Sequence, residues 1–153
     1  MSREILFRGK RTDNGEWVEG SLLIDYISGQ YFIHTNGNSV NESNKIGEEG
    51  CLKFLAFEID PETVCQYTGL TDKNGRKIFE GDIVKFKHGG EFHDRGVWYR
   101  NYVIEYVNTF HTYGLRFRNQ SIHFACKKSI ISMHDVEVIG NIFDNPELLE
   151  VGE

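Results

Sequence analysis

Short apolar runs separated by Gly- and Asn-containing turns constrain the fold of this chain more than any other feature. Turn signals stand at Asp13-Asn14-Gly15, at residues 71–75 (TDKNG) and at residues 80–82 (EGD), because Gly and Asn tolerate the left-handed φ of tight turns. Of the 153 residues, 51 are β-branched or aromatic and only 13 are Ala, Leu or Met. β-Branched and aromatic side chains pack well on a pleated surface and lose rotamer freedom in a helix. The sequence therefore predicts an all-β fold.

The runs divide into two regions. An N-terminal β region, residues 1–60, contains predicted strands at residues 4–8, 17–24, 30–34 and 52–58. In residues 83–87, Val84 and Phe86 alternate with Lys85 and Lys87, which is typical of a strand with one buried face. Further runs at 97–107, 114–118 and 121–125 predict an SH3-like small β-barrel within residues 61–153. The alternative is a single domain over residues 1–150, and helix is expected only as short turns at 126–133 and 145–149.

Charge and hydropathy indicate a soluble protein. The net charge of -6 is distributed as −4 over residues 1–60, +3 over 61–135 and −5 over 136–153. Charged residues interrupt the first eight positions, and no apolar run approaches the roughly 18 residues of a transmembrane helix. We therefore expect a cytoplasmic protein with no membrane partner.

Signals for catalysis and metal binding are weak. Cys51, Cys65 and Cys126 are widely spaced, which favours buried reduced thiols over disulfides or a zinc ribbon. His88 and His93, with Glu91 and Asp94 between and beside them, lack the further ligands of a zinc site, so a solvated loop is the better interpretation. No nucleophile-elbow, P-loop or Rossmann pattern occurs. The sequence thus predicts no cofactor, no metal and no enzyme; the alternative is an active site assembled from separate loops.

The remaining candidate site combines cations with aromatic rings. Its residues are Lys85, Lys87, Arg95, Trp98, Arg100, Arg116 and Arg118, with Tyr99, Tyr102, Lys127 and Lys128 nearby. Such a combination is typical of proteins that bind single-stranded nucleic acid. The alternative is that these charges only solubilise the outer faces of strands, with the acidic residues 147–153 screening them.

Three segments carry a family resemblance: residues 3–8 with 17–20 (REILFR, WVEG), residues 66–75 with 78–84 (QYTGLTDKNG, IFEGDIV), and residues 136–142 with 145–148. In this order they span the chain, and together they resemble the YopX family. The resemblance implies a β-rich fold, a phage or prophage origin and possible homo-oligomers, without a known activity. The signature residues, which we interpret as structural, are Tyr67, Gly69, Asp72, Gly75, Glu80, Gly81 and Asp82.

From these observations we predict a non-catalytic binding or assembly module. Its expected partner is a second copy of itself or a host or phage protein, with nucleic-acid binding as the alternative. Departures from the family pattern fall in residues 35–50 and 88–99, where an individual role would be encoded.

Overall fold

The protein is built from antiparallel strands. A computed structural model describes residues 4–35, 55–89, 96–108, 112–116 and 136–150. Its strands are β1 (Phe7–Lys10), β2 (Trp17–Asp25), β3 (Gln30–Thr35), β4 (Leu55–Ile59), β5 (Cys65–Thr71), β6 (Lys77–Phe79), β7 (Asp82–His88), β8 (Trp98–Val107), β9 (Thr112–Arg116) and β10 (Glu137–Asn141). In the described ranges, helix occurs as the 3-10 turns Pro61–Thr63 and Pro146–Leu149 and as a 3-10 conformation at Asn108. The prediction of an all-β fold is confirmed.

The chain divides into two compact units, Met1–Gln66 and Tyr67–Glu153. Two sheets have the strand orders β4-β3-β2-β1-β5-β6 and β10-β7-β8-β9, and β5 continues across the boundary between the units. The division into regions 1–60 and 61–153 stays a prediction. The predicted strand at 121–125, the helix at 126–133 and most of loop 35–50 lie outside the described residues.

In the first unit, two glycines allow close packing of the strands. β1 and β2 form the hairpin that Asp13-Asn14-Gly15 predicts, with Gly15 at φ +73°. A Cβ at Gly20 would lie 2.0 Å from the carbonyl oxygen of His34, and a Cβ at Gly9 would lie 2.5 Å from Ile59 Cδ1. Ile59 and Ile33 are completely or almost completely buried. Glycine at positions 9 and 20 therefore brings β1 and β2 close to the residues that form the core.

In the second unit, apolar residues from several strands share one core. The cluster consists of Ile78, Val84, Tyr102, Ile104, Tyr113, Leu115, Val136 and Val138. These residues fall on one face of the β10-β7-β8-β9 sheet or pack against it. Along β7, Val84 and Phe86 thus face this core while Lys85 and Lys87 point to the other side, where Ile83 at the start of the strand is also buried.

The predicted SH3-like barrel is not formed by the described strands. β10 and β9 are the two edges of the second sheet and do not pair with each other among the described residues, so the sheet is open. The Gly81-Asp82 turn followed by an alternating strand specifies the chain path into β7. Whether a sheet closes into a barrel depends on which of its edge strands pair, and the turn-and-strand pattern at residues 81–87 does not indicate this.

Candidate binding surfaces

The residues of the predicted basic and aromatic set are divided between the two faces of the second sheet, and each face carries both cations and rings. Direct cross-strand partners point to the same side of a sheet, and Lys85 pairs with Asn101 while Lys87 pairs with Tyr99. We call this side the lysine face; it contains Lys85, Lys87, Tyr99, Asn101 and Arg116. The opposite side, the aromatic face, contains Phe86, His88, Trp98, Arg100 and Tyr102. Arg95, Arg118, Lys127 and Lys128 lie outside the described residues.

The lysine face presents an exposed ring beside exposed cations. Tyr99 is 56% exposed, and the Lys85 Nζ lies 4.9 Å from the centroid of its ring. Lys87, directly across from Tyr99, is also exposed. Arg116 donates from Nε to Glu105 Oε1 at 2.6 Å, so its charge is compensated on the same face. On this face, Lys85, Lys87 and Tyr99 are therefore the accessible described residues of the predicted basic and aromatic set; Arg100, on the other face, is exposed as well.

The C-terminal 3-10 turn lies on the lysine face. Asn101 Nδ2 donates a hydrogen bond to the backbone oxygen of Leu148 at 2.8 Å, although 47 residues separate them in sequence. This turn carries Glu147, and Glu150 follows it. The geometry supports the interpretation that acidic C-terminal residues reduce the positive potential of this face.

On the aromatic face, the rings are already engaged with one another. His88 stacks on Trp98 with centroids 4.0 Å apart and planes 9° apart, and a 2.8 Å hydrogen bond joins His88 Nε2 to Tyr102 Oη. Arg100 Cζ lies 4.9 Å from the Trp98 centroid. Burial lowers the pKa of His88, and the charge of Arg100 lowers it further. Burial also raises the pKa of Tyr102.

This arrangement differs from the sequence interpretation of His88 as part of a solvated loop. β7 continues through His88, where the side chain contacts Trp98 across the strand pair. The missed signal was the continuation of the alternation Val84, Phe86, His88 by one more step. His93, Glu91 and Asp94 lie outside the described residues.

Among the signature residues, Asp72 connects its own turn to β10. Its Oδ1 accepts backbone hydrogen bonds from Asn74 (2.8 Å) and Arg76 (2.9 Å), and its Oδ2 accepts one from Val138 (3.0 Å). Burial alone would raise the pKa of Asp72, but these three hydrogen bonds, with the charge of Arg76, lower it overall. Asp72 is buried, and among the described residues its carboxylate accepts hydrogen bonds from backbone amides, so we interpret its role as structural.

The other signature residues surround the next turns. Asp82 is buried and accepts a 2.8 Å hydrogen bond from the Phe79 backbone N–H. The ring of Tyr67 packs against that of Phe79 at 5.5 Å. Positive φ is adopted by Gly69, Gly75 and Gly81. These contacts account for the residue types at the turns without a ligand.

Glu80 is the signature residue with a raised pKa. Burial raises it, the negative charge of Glu105 adds to the effect, and a hydrogen bond from the Tyr106 backbone opposes it. Because Glu105 is already paired with Arg116, Glu80 lies next to a compensated pair, and the arrangement needs no substrate to explain it.

In the first unit, the tip of the β2–β3 hairpin exposes two large apolar side chains. Tyr26 is 87% exposed and Ile27 is 99% exposed. The Asp25 side chain accepts hydrogen bonds from Ile27 N (2.9 Å) and Ser28 Oγ (2.7 Å), while Gly29 N donates to Asp25 O (2.8 Å). Our sequence interpretation missed this site. Two apolar residues between turn-forming Asp25 and Ser28-Gly29 were the signal that could have revealed it.

The described residues contain neither a candidate metal site nor a membrane-spanning helix. No group of three or more His, Cys, Asp or Glu side chains that could hold a metal ion occurs among them. Within the same residues, no helix has the length and apolar character needed to cross a membrane. Cys65 is buried in the first unit, with Sγ 3.3 Å from the backbone oxygen of Thr63.

Comparison with known proteins identifies the family. The protein-family model described as YopX protein matches residues 6–150 of this chain. A solved structure, the crystal structure of protein EF1440 from Enterococcus faecalis, is 28% identical in sequence and superposes with a TM-score of 0.52, covering 97% of this chain and 99% of that one. No curated protein matches the chain. Because the family model spans nearly the whole sequence, the chain belongs to the YopX family.

Proposed function

We propose that this chain is a non-catalytic module that binds another protein through the tip of the β2–β3 hairpin. The observation that carries the proposal is the exposure of Tyr26 and Ile27, at 87% and 99%. Hairpin turns are normally polar, and large exposed side chains that cluster mark interaction sites more often than isolated ones do. Tyrosine is also one of the residue types that contribute most to protein interfaces.

The backbone of the tip is held in place before any partner arrives. Both oxygens of the Asp25 carboxylate accept hydrogen bonds from within the turn, and these bonds lower the pKa of Asp25, with Ser28 contributing most. Gly29 closes the turn at φ +74°. A fixed turn reduces the conformational entropy lost when its side chains enter a pocket.

A second apolar pair lies on one face of the hairpin, separated from the tip by the exposed polar pair Asp25 and Gln30. Leu23, 45% exposed, pairs directly across from the partly buried Phe32. Phe32 in turn pairs with exposed Glu58, and Asp25 lies on the same face. We infer a partner surface with an apolar pocket edged by Lys or Arg, because the side chains that flank the tip are acidic.

The same charges argue against a second copy as the partner. Residues 1–60 carry a net charge of −4 in sequence, so this region of another copy would approach with like charge. A phage or prophage origin, which the family resemblance implies, is consistent with a host or phage protein in that role.

The experiment combines capture with a quantitative binding measurement. Proteins from a bacterial host are captured in the presence of nuclease, identified by mass spectrometry, purified, and titrated against the wild type and the double variant Tyr26→Ser/Ile27→Ser. Loss of two interface anchors is expected to weaken binding at least about 100-fold. The matched control is Ile5→Ser, since Ile5 is also an exposed apolar residue (69%) of the first unit; its Kd is expected to stay within about twofold.

Two results would overturn the proposal. One is a purified partner that binds the double variant and the wild type equally well. The other is self-association, measured by sedimentation velocity across a concentration series, that the double variant abolishes; in that case a second copy is the partner. Circular dichroism of each variant confirms that the fold is retained.

A further inference from the structure

We propose that the part of the lysine face around Tyr99 binds single-stranded nucleic acid, with a base stacked on the Tyr99 ring and phosphates beside Lys85 and Lys87. This site lies in the second unit and is independent of the β2–β3 hairpin. It is also smaller than the basic and aromatic set that the sequence suggested, because the strand register places Trp98 and Arg100 on the other face.

Tyr99 is the stacking candidate on this sheet. It is 56% exposed, whereas Trp98 on the aromatic face is only partly exposed and one side of its ring is stacked against His88, with centroids 4.0 Å apart. A ring that is already stacked against another ring offers less free surface to a base. Tyr99 has the Lys85 ammonium near its ring at 4.9 Å, and its exposed fraction leaves ring surface for a planar ligand.

The two lysines provide a short, directional track of positive charge. Lys85 and Lys87 are two residues apart on β7, which places their Cα atoms about 7 Å apart along the strand. Both are exposed, and Lys87 is the direct cross-strand neighbour of Tyr99. Cations that follow one direction beside an exposed aromatic ring are the elements by which proteins hold an unpaired strand.

The surroundings restrict the site to a few nucleotides. On one side, Asn101 anchors the C-terminal turn through Leu148, beside Glu147. On another, Glu137 pairs directly across from Lys85 and forms an ion pair with Lys73. Two lysines near acidic neighbours are expected to give weak binding with a shallow dependence on salt. For two phosphate contacts, the slope of log K against log salt is about −1.4.

The exposed ring favours a single strand over a duplex. A base can stack on a protein side chain only when it is free of its own stack, whereas a duplex offers its phosphates alone. An unpaired oligonucleotide is therefore expected to bind more tightly than the corresponding duplex at the same salt concentration.

The test is fluorescence anisotropy with a labelled 12-nucleotide oligo(dT) and with the corresponding dT·dA duplex, at several salt concentrations from about 25 mM upward. Tyr99→Leu is expected to weaken single-strand binding about tenfold with an unchanged salt slope. Tyr99→Phe keeps the ring and is expected to bind as the wild type does. Lys87→Gln is expected to make the salt slope shallower by about 0.7.

Lys10→Gln is the matched control, because Lys10 in the first unit also lies near an indole ring, 5.5 Å from the Trp17 centroid. It removes the same charge and is expected to change the affinity less than about twofold. The proposal is overturned if oligo(dT) does not bind at the lowest salt concentration, or if Tyr99→Leu binds as tightly as the wild type. Three further results would overturn it. The protein could bind the duplex as tightly as oligo(dT), or Lys10→Gln and Lys87→Gln could have equal effects. Poly-glutamate could also displace the labelled oligo(dT) as effectively as unlabelled oligo(dT) does. Tyr26→Ser/Ile27→Ser, which tests the hairpin, is expected to leave oligo(dT) affinity unchanged.

Discussion

At the residue scale, the Asp72 carboxylate is the side chain whose role is most clearly defined. It accepts two amide hydrogen bonds inside its own turn and a third from Val138, 66 residues further along the chain. An Asn in the same place would present an NH2 group to one of these donors, leaving a buried N–H without an acceptor.

We predict that Asp72→Asn lowers the free energy of unfolding by about 3 kcal/mol at pH 7, because it removes hydrogen bonds to a charged acceptor. Urea denaturation measures the loss. The folded-state pKa of Asp72 is lower than its unfolded value of about 4, so the wild type has this stabilisation at neutral pH and loses it as the pH falls through the folded pKa. The variant should therefore show a weaker loss of stability on acidification.

The matched control is Asp144→Asn in the same unit. Asp144 is exposed, and its Oδ2 accepts a 3.0 Å hydrogen bond from Asn141 Nδ2. Its loss is expected to cost no more than about 0.5 kcal/mol. Equal destabilisation by the two substitutions would show that the buried carboxylate has no special contribution.

The sequence indicated that Asp72 belongs to a turn, since Asp-Lys-Asn-Gly is a strong turn pattern. It did not indicate that the carboxylate is buried or that it bonds to Val138, because a contact over 66 residues leaves no local pattern. The opposite holds for Tyr26 and Ile27. Their neighbours Asp25, Ser28 and Gly29 are ordinary turn residues, so the local sequence does indicate a turn that exposes the two apolar residues.

At the element scale, the separation between β2 and β3 depends on Gly20. We predict that Gly20→Ala lowers the free energy of unfolding by about 3 kcal/mol, since the new methyl group would lie 2.0 Å from a backbone oxygen of His34 that can move only with its strand. Gly15→Ala serves as the control. Gly15 has φ +73° with nothing within 4 Å of the added Cβ, so only backbone strain of about 1 kcal/mol is expected. Urea denaturation ranks the two, and the reverse order would contradict the packing argument.

The faces of β7 were predictable and their partners were not. Alternation over residues 83–87 correctly separated Lys85 and Lys87 from Val84 and Phe86. Assigning Trp98 and Arg100 to a face requires the register between β7 and β8. A shift of one residue would reverse the assignment, and composition does not fix that register.

At the scale of the whole molecule, each unit has buried apolar residues of its own. Ile33 and Ile59 are buried in the first, and Val84, Val103 and Ile104 in the second. We predict that Asp72→Asn accelerates amide hydrogen exchange in β7 and β10 at least about tenfold more than in β2 and β3, because stability is distributed over local cooperative segments. Hydrogen exchange followed by mass spectrometry measures this. Uniform acceleration across all strands would instead identify one cooperative structure and favour the single-domain alternative.

The all-β class followed from residue preferences, and it is confirmed. The predicted barrel was wrong for the described strands, which form an open sheet with β9 and β10 at its edges. Preferences for strands are properties of short segments, whereas closure is a property of strand order and shear over the whole sheet.

The sequence separation between Asp72 and Val138 also has a consequence for folding during synthesis. Ribosomes add about 5–20 residues per second, so the 66 residues between donor and acceptor require roughly 3–13 seconds. Throughout that interval the nascent chain holds Asp72 without its partner from β10, and β7, once it has been synthesised, lacks its neighbour β10. All residues of the first unit, including Gln66, which pairs with Phe7, are synthesised before Asp72 and therefore before this interval begins. We therefore expect a growing chain to present an early, nearly complete N-terminal sheet, and to expose the unpaired edge of β7 to chaperones until β10 is added.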